Sequence, residues 1–558
     1  MPSGAHQRCP LKTRWALFAA VAVALAGVLP YLWLLDIHPH SRDAIIWLQK
    51  ADPSLPGWFD WTFATTQFKV TLRPVTALSY TLTHLLGGTD PAVHRGFDLL
   101  LHASTIGLTY EVVRRWSTGA SQWGGVAAAA VVALHPLTRF VVPHLARRSY
   151  SLATMFILLA LLAAARHDAT DARRAWGGVG AAALAAAATL SHEIGYLAFA
   201  LCAVLVVPPT GALWDVGAWR RAIQDQRWLL GSSVLLGAAL LVWRLAALGG
   251  FGGYNKGTPT PLDKTGATLE ALFPTFALAS GPISTAFAIV WGLALLGAGA
   301  FAVSRRIPAG ETDDPILRVA LAWIAGGFLL FVPQSVWFIR QGYLLVPPLG
   351  LLIGGLLGGP LPRPGRGVAL ATLLALGLLA PVELGHIRLQ RLRAERTSAM
   401  LEGLIEFARE VPDGEQIVLA LPRWRSPQAV GHRGHDIDNP KQVARGARRD
   451  ERRLPIGVRA PMTWLAHVVP GRTYTLALVA FTHPERTQPV WRAELVGRGL
   501  QITNTGAERI VDLPHNPLGE VDGDRAAVRS PRGKGPVWLY FHDGLSGQHW
   551  VVDRPPAE

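Results

Sequence analysis

Long apolar runs separated by short polar segments dominate the first 385 residues of this chain. The earliest run, residues 16–35, reads ALFAAVAVALAGVLPYLWLL. A helix needs about 20 apolar residues to cross the hydrocarbon core of a bilayer, and several runs reach that length. Charged residues make up only 16% of the chain, whereas soluble proteins carry about 25%. The sequence therefore predicts a polytopic α-helical membrane protein.

Counting the apolar runs predicts about eleven transmembrane helices. Two long mixed stretches, near 36–92 and 249–284, are expected outside the cytoplasm. Four arginine pairs fall in predicted inner loops, as the positive-inside rule requires, at 114–115, 173–174, 220–221 and 305–306. The first run is longer than a typical signal-peptide core. We therefore expect a retained first helix with a cytoplasmic N-terminus, in the cytoplasmic (inner) membrane.

Residues 386–558 have a different composition and are expected to form a separate domain. An amphipathic helical pattern comes first, in RLQRLRAERTSAMLEGLIEFAREV. Short apolar segments between Pro and Gly turns follow and read as strands, in QIVLALP, TYTLALVAF, RAELVG and PVWLYFHDG. We predict a transmembrane domain at 1–385 and a soluble α+β or β-rich extracytoplasmic domain at 386–558.

The formal net charge of +15 raises the question of a nucleic-acid partner. Most of the positive excess lies in the membrane half, where membrane topology accounts for it, so we expect no nucleic acid to bind. The two cysteines, Cys9 and Cys202, form neither a disulfide framework nor a metal motif. We expect no metal and no cofactor.

Two acidic residues follow the first apolar run. Asp36 and Asp43 would lie at the membrane–water boundary, where a carboxylate can act as a general base. The alternative is that both are solvated loop residues that cap a short interfacial helix.

A second polar group lies in VHRGFDLLLHA, where His94, Asp98 and His102 share one helix face. Such side chains could bind zinc, but an eight-residue step separates the two imidazoles by about 12 Å. A stripe that packs the helix against its neighbours by hydrogen bonds is the favoured interpretation.

Glu193, in LSHEIGY, lies at the tip of an otherwise apolar hairpin. An ionisable residue at such a place is a functional candidate by default. It could equally form a structural ion pair with Arg147 or Arg148, which fall outside and break the positive-inside pattern.

Four further residues on the outer side are candidates to bind a phosphate or other substrate groups. Arg340 and Tyr343 begin a predicted span, and Lys256 and Lys264 lie in the second long outer loop. Arginine and lysine bind phosphate through charge-assisted hydrogen bonds.

In order and spacing, four segments resemble the GT-C superfamily of polyprenyl-phosphate-sugar-dependent glycosyltransferases, in particular its protein O-mannosyltransferase-like branch. They are RPVTALSYTLTHLLGGTDPAVHRGFDLLLHA, ALHPLTRFVVPHLARRSYSLATMFILLAL, LSHEIGY and RQGYLLVPPLG. The resemblance covers roughly residues 14–360. It implies that the segment beginning at Arg73 lies beside the active site, and it adds Arg73 to the candidate phosphate ligands.

The chain departs from the pattern of this superfamily at several acidic positions. Arg42 replaces one acid of a pair in the first outer loop, with Asp43 retained, and the acid after ALHP is absent, with Arg139 in that segment. A Lys-Glu pair has become His192-Glu193, and the tail lacks tetratricopeptide repeats.

The resemblance implies an inverting membrane glycosyltransferase that acts on the extracytoplasmic face. A polyprenyl-phosphate sugar would be the donor, Asp43 or Asp36 the base, and a protein, lipid or glycan hydroxyl the acceptor. The lost acids keep a second possibility open, a non-catalytic scaffold or a carrier or transporter of lipid-linked sugars. Membrane lipids are the remaining expected partners.

Overall fold

A computed structural model describes most of the helical part of the chain and the strands that follow it. The described residues are 10–37, 42–64, 71–116, 122–164, 171–208, 212, 214–248, 282–305, 315–331, 339–358 and 363–413, together with strands between 416 and 552. The chain divides into two compact units, residues 1–35 with 50–387, and residues 36–49 with 388–558. The second unit thus includes residues 36–49, which the sequence grouped with the first domain.

Fourteen α-helices are described. They are α1 (Pro10–Leu32), α2 (Arg42–Gln49), α3 (Pro74–Gly87), α4 (Pro91–Trp116), α5 (Gln122–Leu134), α6 (Arg148–Ala164), α7 (Asp171–Ser191), α8 (Leu197–Val204), α9 (Val216–Asp225), α10 (Arg227–Leu248), α11 (Pro282–Arg305), α12 (Pro315–Phe331), α13 (Val346–Gly358) and α14 (Arg363–Glu410).

Five helical segments in the described part of the chain are long and apolar enough to cross a membrane. They are Trp15–Leu32, Leu145–Ala164, Arg227–Leu248, Arg340–Gly358 and Arg366–Leu392. Five shorter apolar segments accompany them, at Gln122–Leu134, Ala175–Ser191, Glu193–Val204, Val290–Phe301 and Pro315–Leu330. The protein is helical and has apolar helices of membrane-spanning length, as the sequence predicts. The total of about eleven spans and their orientation stay predictions.

Short irregular helices interrupt the apolar helices where polar residues occur. Four are 3₁₀ helices, at Pro136–Phe140, Leu145–Arg147, Glu193–Tyr196 and Ile339–Leu345. One is a π-helix, at Asp60–Ala64. Two begin with a histidine that caps the turn, because the His135 and His192 side chains accept from the amides of Leu137 and Ile194. Four candidate site residues, Arg147, Glu193, Arg340 and Tyr343, lie in these breaks.

Two helices in the core of the first unit approach each other closely at glycine residues. A Cβ atom added to Gly124 of α5 would lie 2.6 Å from the carbonyl oxygen of Gly354 on α13, and one added to Gly354 would lie 2.6 Å from the oxygen of Gly124. Small residues allow helix backbones to approach this closely in membrane proteins. The α5–α13 contact therefore requires glycine on both sides.

We expect Gly124→Ala to destabilise the protein, because the new methyl group would meet the backbone of α13. Overpacking of this kind costs about 1–3 kcal/mol. Thermal unfolding of the purified protein in detergent measures the effect. Gly377→Ala on α14 is the matched control, since nothing lies within 4 Å of its added Cβ. Helix propensity should make that control neutral or slightly stabilising, and equal melting temperatures for the two variants would contradict the packing argument.

The second unit contains nine described strands. They are β1 (Gln416–Trp424), β2 (Thr473–Phe481), β3 (Trp491–Val496), β4 (Gly499–Asn504), β5 (Ile510–Val511), β6 (Val521–Asp522), β7 (Arg525–Arg529), β8 (Val537–His542) and β9 (Gly547–Val552). One sheet has the order β5-β2-β1-β8-β9, with β1 parallel to β2 and to β8; the other is antiparallel, in the order β3-β4-β7-β6. The four segments predicted as strands lie in β1, β2, β3 and β8. A separate soluble domain on the outer face stays a prediction.

Candidate functional site

Arg73 and Glu193 form a bidentate ion pair in the first unit. The guanidinium Nε lies 3.0 Å from Oε2 of Glu193, and Nη2 lies 2.8 Å from Oε1. Arg73 is the residue before Pro74, which begins α3, and Glu193 begins the 3₁₀ turn between α7 and α8. The side chains are 12% and 24% exposed, so the pair is partly accessible. Two residues that the sequence singled out separately thus meet across 120 positions of the chain.

His192 adds an uncharged ring to this pair. Its Nε2 lies 3.2 Å from Nη2 of Arg73, while its Nδ1 accepts from the amide of Ile194. Burial is the main cause that lowers the pKa of His192 to about 3; the arginines Arg73, Arg244 and Arg340 add to this effect, and Glu193 opposes it. The imidazole is therefore neutral at pH 7.

Glu193 remains ionised within the same group. Burial raises the pKa of Glu193, but Arg73 together with His192 and Arg244 outweighs it and holds the pKa below its usual range. Arg340 and Arg244 lie within electrostatic range of His192. Arg73 contacts both Glu193 and His192, and the charges of Arg244 and Arg340 act on His192. We call these five residues the arginine cluster. Arginine forms charge-assisted hydrogen bonds with phosphate, which makes the cluster a candidate site for an anionic group.

Sequence reasoning missed Arg244, although the sequence contains the signal. Arg244 lies within α10, an otherwise apolar helix of spanning length, and is only 7% exposed. An ionisable residue inside such a segment is by default a functional candidate. The same rule that selected Glu193 applies to Arg244.

Arg148 lies in a separate, completely enclosed network. Its Nε donates to Oδ1 of Asp98 at 2.5 Å, and its side chain is 0% exposed. Its Nη atoms donate to the carbonyl oxygens of Ser79 and His94 and to the Thr83 hydroxyl, at 3.0, 2.9 and 3.1 Å. Three helices, α3, α4 and α6, are joined at this one guanidinium.

Aromatic rings complete the enclosure of this guanidinium. The Arg148 guanidinium carbon lies 4.0 Å from the centre of the Tyr80 ring and 4.9 Å from that of Phe97. His94 is held by Thr83 and by the carbonyl oxygen of Gly88, at 2.6 and 2.9 Å. Protein groups therefore occupy the space around Arg148 in this structure.

His102, the third residue of the predicted stripe, lies in another buried polar group. Its Nδ1 is 3.5 Å from the hydroxyl of Tyr343, and both residues are 0% exposed. The ring of Tyr31 contacts the His102 ring edge-on, and the Tyr31 hydroxyl lies 2.9 Å from Thr138. His94, Asp98 and His102 thus contact three different sets of partners. Among the described residues, no group of three His, Cys, Asp or Glu side chains could hold a metal ion.

Arg139 occupies the segment that lacks the expected acid and pairs with a carboxylate from elsewhere. Its Nη1 lies 2.6 Å from Oε1 of Glu383 on α14, and it also contacts Nδ1 of His386. The two ion-paired side chains are 12% and 14% exposed. The carboxylate missing from the local sequence is therefore supplied by α14.

The two candidate bases lie in the second unit. Asp43 is in the first turn of α2, and Asp36 precedes that helix; both are exposed. Arg147 is half-buried and donates to the carbonyl oxygen of Phe140. Lys256 and Lys264 lie outside the described residues.

Comparison with known proteins identifies relatives of part of the chain. No protein-family profile matches it. Human protein O-mannosyl-transferase TMTC2 is 31% identical over 135 residues, which are 24% of this chain and 16% of that protein. Protein O-mannosyl-transferase Tmtc1 of Drosophila melanogaster is 33% identical over 141 residues, 25% of this chain and 16% of the relative. The match thus spans only a small part of the curated relatives. It confirms the resemblance to O-mannosyltransferases of the GT-C type.

Two solved structures are similar at lower identity. ArnT from Cupriavidus metallidurans bound to undecaprenyl phosphate gives a TM-score of 0.42 at 18% identity, over 71% of this chain and 72% of that one. The Archaeoglobus fulgidus oligosaccharyltransferase tethered with an acceptor peptide gives a TM-score of 0.42 at 13% identity, over 72% of this chain and 58% of that one.

We expect Arg148→Gln to destabilise the protein strongly, because it leaves the buried Asp98 carboxylate without its partner. Breaking a buried pair in this way costs about 3–5 kcal/mol. Thermal or denaturant unfolding in detergent measures the loss. Arg147→Gln, one residue away and half-buried, is the control and should cost less than about 1 kcal/mol. Partial recovery in the Arg148→Gln/Asp98→Asn double variant is also expected, and equal losses for the two single variants would contradict the network.

We expect the stability of the folded protein to fall as the pH decreases from 7 towards 4, because of His192. Its pKa is near 6.5 when unfolded and about 3 when folded, so the unfolded chain binds more protons between these values. The slope can reach about 1.4 kcal/mol per pH unit. The stabilisation that Glu193 contributes to the folded protein is also lost as the pH decreases, but only below about pH 4.5. Melting temperatures at pH 5 and 7 for the parent and His192→Gln test this, and an unchanged slope in the variant would count against it.

Proposed function

We propose that this protein is an inverting membrane glycosyltransferase. It transfers a sugar from a polyprenyl-phosphate-linked donor to an acceptor hydroxyl on the extracytoplasmic face of the inner membrane. The confirmed resemblance to O-mannosyltransferases supports the reaction class. The arginine cluster is the single structural observation that favours an anionic, phosphate-containing substrate.

In this proposal the arginine cluster binds the donor phosphate. Transfer of the sugar leaves charge on the lipid phosphate, and fixed cations stabilise such developing charge most effectively in a site of low dielectric. Glu193 holds Arg73 in position through two hydrogen bonds. Arg244 and Arg340 are the further arginines of the cluster that would contact the phosphate.

Asp43 is the proposed general base, with Asp36 as the alternative. An inverting transfer needs one base to take the proton of the acceptor hydroxyl as it attacks the anomeric carbon, which contributes about 10²–10⁴-fold to the rate. The assignment rests on the sequence, where Asp43 is the acid retained from a pair. Lys256, Lys264, Arg147 and Tyr343 stay candidate substrate ligands. We propose a structural role for Arg148, because Asp98 and backbone oxygens already occupy its donors.

A non-catalytic scaffold or a carrier of lipid-linked sugars is the second candidate. The replacement of one acid by Arg42 and the absence of the acid after ALHP favour it, since a lost general base would abolish transfer while donor binding remained. The Arg139–Glu383 pair favours the enzyme instead, because it restores a carboxylate to a segment that lacks its own.

The test uses the full chain reconstituted in lipid, with a panel of radiolabelled polyprenyl-phosphate sugars and membrane extract as a source of acceptors. We expect loss of label from the lipid, and a decrease of about 100-fold or more with Asp43→Asn. Donor binding by that variant should be unchanged. Full transfer by both Asp43→Asn and Asp36→Asn would overturn the proposed base.

Donor binding tests the arginine cluster independently. Arg244→Gln and Arg340→Gln should each weaken binding by about tenfold or more, as expected for the loss of a charge-assisted hydrogen bond. Arg115→Gln is the matched control, since Arg115 pairs with Glu111 at the far end of α4. Equal affinities for the three variants would contradict the phosphate site. Donor binding without transfer across the whole panel would favour the scaffold or carrier.

A further inference from the structure

The short helix α9 has one apolar and one polar face, and the described residues cover the apolar face only in part, where Ala222 packs against a small buried cluster. Val216, Trp219 and Ile223 recur at the three- and four-residue spacing of one helix face. Arg220 and Gln224 lie on the opposite side. All ten residues of α9 are described, and none is buried. Val216 is 81% exposed and Ile223 is 47% exposed.

A helix of this length needs a surface to stabilise it. Isolated helices shorter than about 12–15 residues are marginal in water. The N-terminus of α9 is well capped, because Asp215 accepts from the amide of Gly217 at 2.8 Å and pairs with Arg221 at 3.4 Å. Capping does not cover the apolar face. Trp214, just before the helix, is 96% exposed as well.

The place of α9 in the chain indicates what covers it. The helix ends at Asp225, and α10 begins two residues later at Arg227. The α10 segment is apolar and of spanning length, and only 17% of its most apolar window is buried. It therefore carries α9 to the boundary of the lipid. Trp228 at this junction is 51% exposed and lies under the Arg227 guanidinium, an arrangement suited to the membrane interface.

We propose that α9 is an interfacial helix that lies in the headgroup region of the membrane and binds anionic lipids. Val216 and Ile223 face the acyl chains, and Arg220 and Arg221 contact lipid phosphates. The combination of an apolar face with arginines on the polar side is that of helices lying in the membrane plane. The sequence predicts this loop to be cytoplasmic, where the leaflet is anionic and each nearby arginine contributes to attraction.

Two neighbouring positions on opposite faces test the orientation. In the full-length Cys9→Ser protein, Ile223→Cys and Gln224→Cys are each labelled with a nitroxide and reconstituted in phosphatidylcholine vesicles with and without phosphatidylglycerol. Cys202 is 0% exposed, and the unsubstituted background protein controls for its labelling. Collision rates with oxygen, which partitions into lipid, and with a water-soluble nickel chelate are compared.

We expect the label at 223 to collide mainly with oxygen and the label at 224 mainly with the chelate. Addition of phosphatidylglycerol should move the label at 223 deeper, and the Arg220→Gln/Arg221→Gln double substitution should remove this shift. Access of the chelate to both positions would overturn the proposal. Exclusion of both reagents from 223 would also overturn it, since a protein surface would then cover the helix. Absence of any effect of phosphatidylglycerol would overturn the part that concerns anionic lipid.

Discussion

The enclosed guanidinium of Arg148 is the interaction on which the packing of the helices around it depends. A buried charge is tolerated only when it is paired and its remaining donors are satisfied. Asp98 supplies the pairing charge, and the backbone oxygens of Ser79 and His94 and the Thr83 hydroxyl accept three of the remaining donors. These partners come from α3 and α4, whereas Arg148 begins α6. None of the three helices can rotate or slide without breaking several of these bonds at once, so their relative positions are fixed to within hydrogen-bond tolerance.

The arginines of the first unit serve two different physical purposes. Asp98 neutralises the charge of Arg148, and aromatic rings enclose the guanidinium. Arg148 therefore stabilises the packing of the helices and adds little to the electrostatic potential outside the network. Arg73 is paired with Glu193 but stays partly accessible, and Arg244 and Arg340 add positive charge around it. Because Arg148 fixes α3 and α6, it also fixes the start of α3, where Arg73 lies. Ser149, next to Arg148, contacts the Arg73 guanidinium at 3.4 Å. The structural pair thus supports the cluster proposed to bind phosphate.

The sequence predicts the helices and strands better than it predicts the contacts between side chains of distant segments. Apolar runs predict helices because burial in lipid requires all backbone groups to bond within the helix, and short apolar segments between Pro and Gly turns predict the strands beginning at Gln416 and Thr473. Glu193 is a candidate from its setting alone, but its partner is Arg73 rather than Arg147 or Arg148. Spacing places His94, Asp98 and His102 on one helix, yet their contacts come from other helices at long range. The periodicity of one segment does not show which distant segment packs against it. The contacts of Arg148 and the position of Arg244 in the fold are therefore known only from the structure.

The Arg148–Asp98 pair also constrains how the chain can be made. Asp98 is synthesised 50 residues before its partner, so its carboxylate has no counter-charge until the start of α6 follows. A buried charge without its partner costs about 3–5 kcal/mol. The contact that positions α3, α4 and α6 can therefore form only once the chain has been made as far as Arg148.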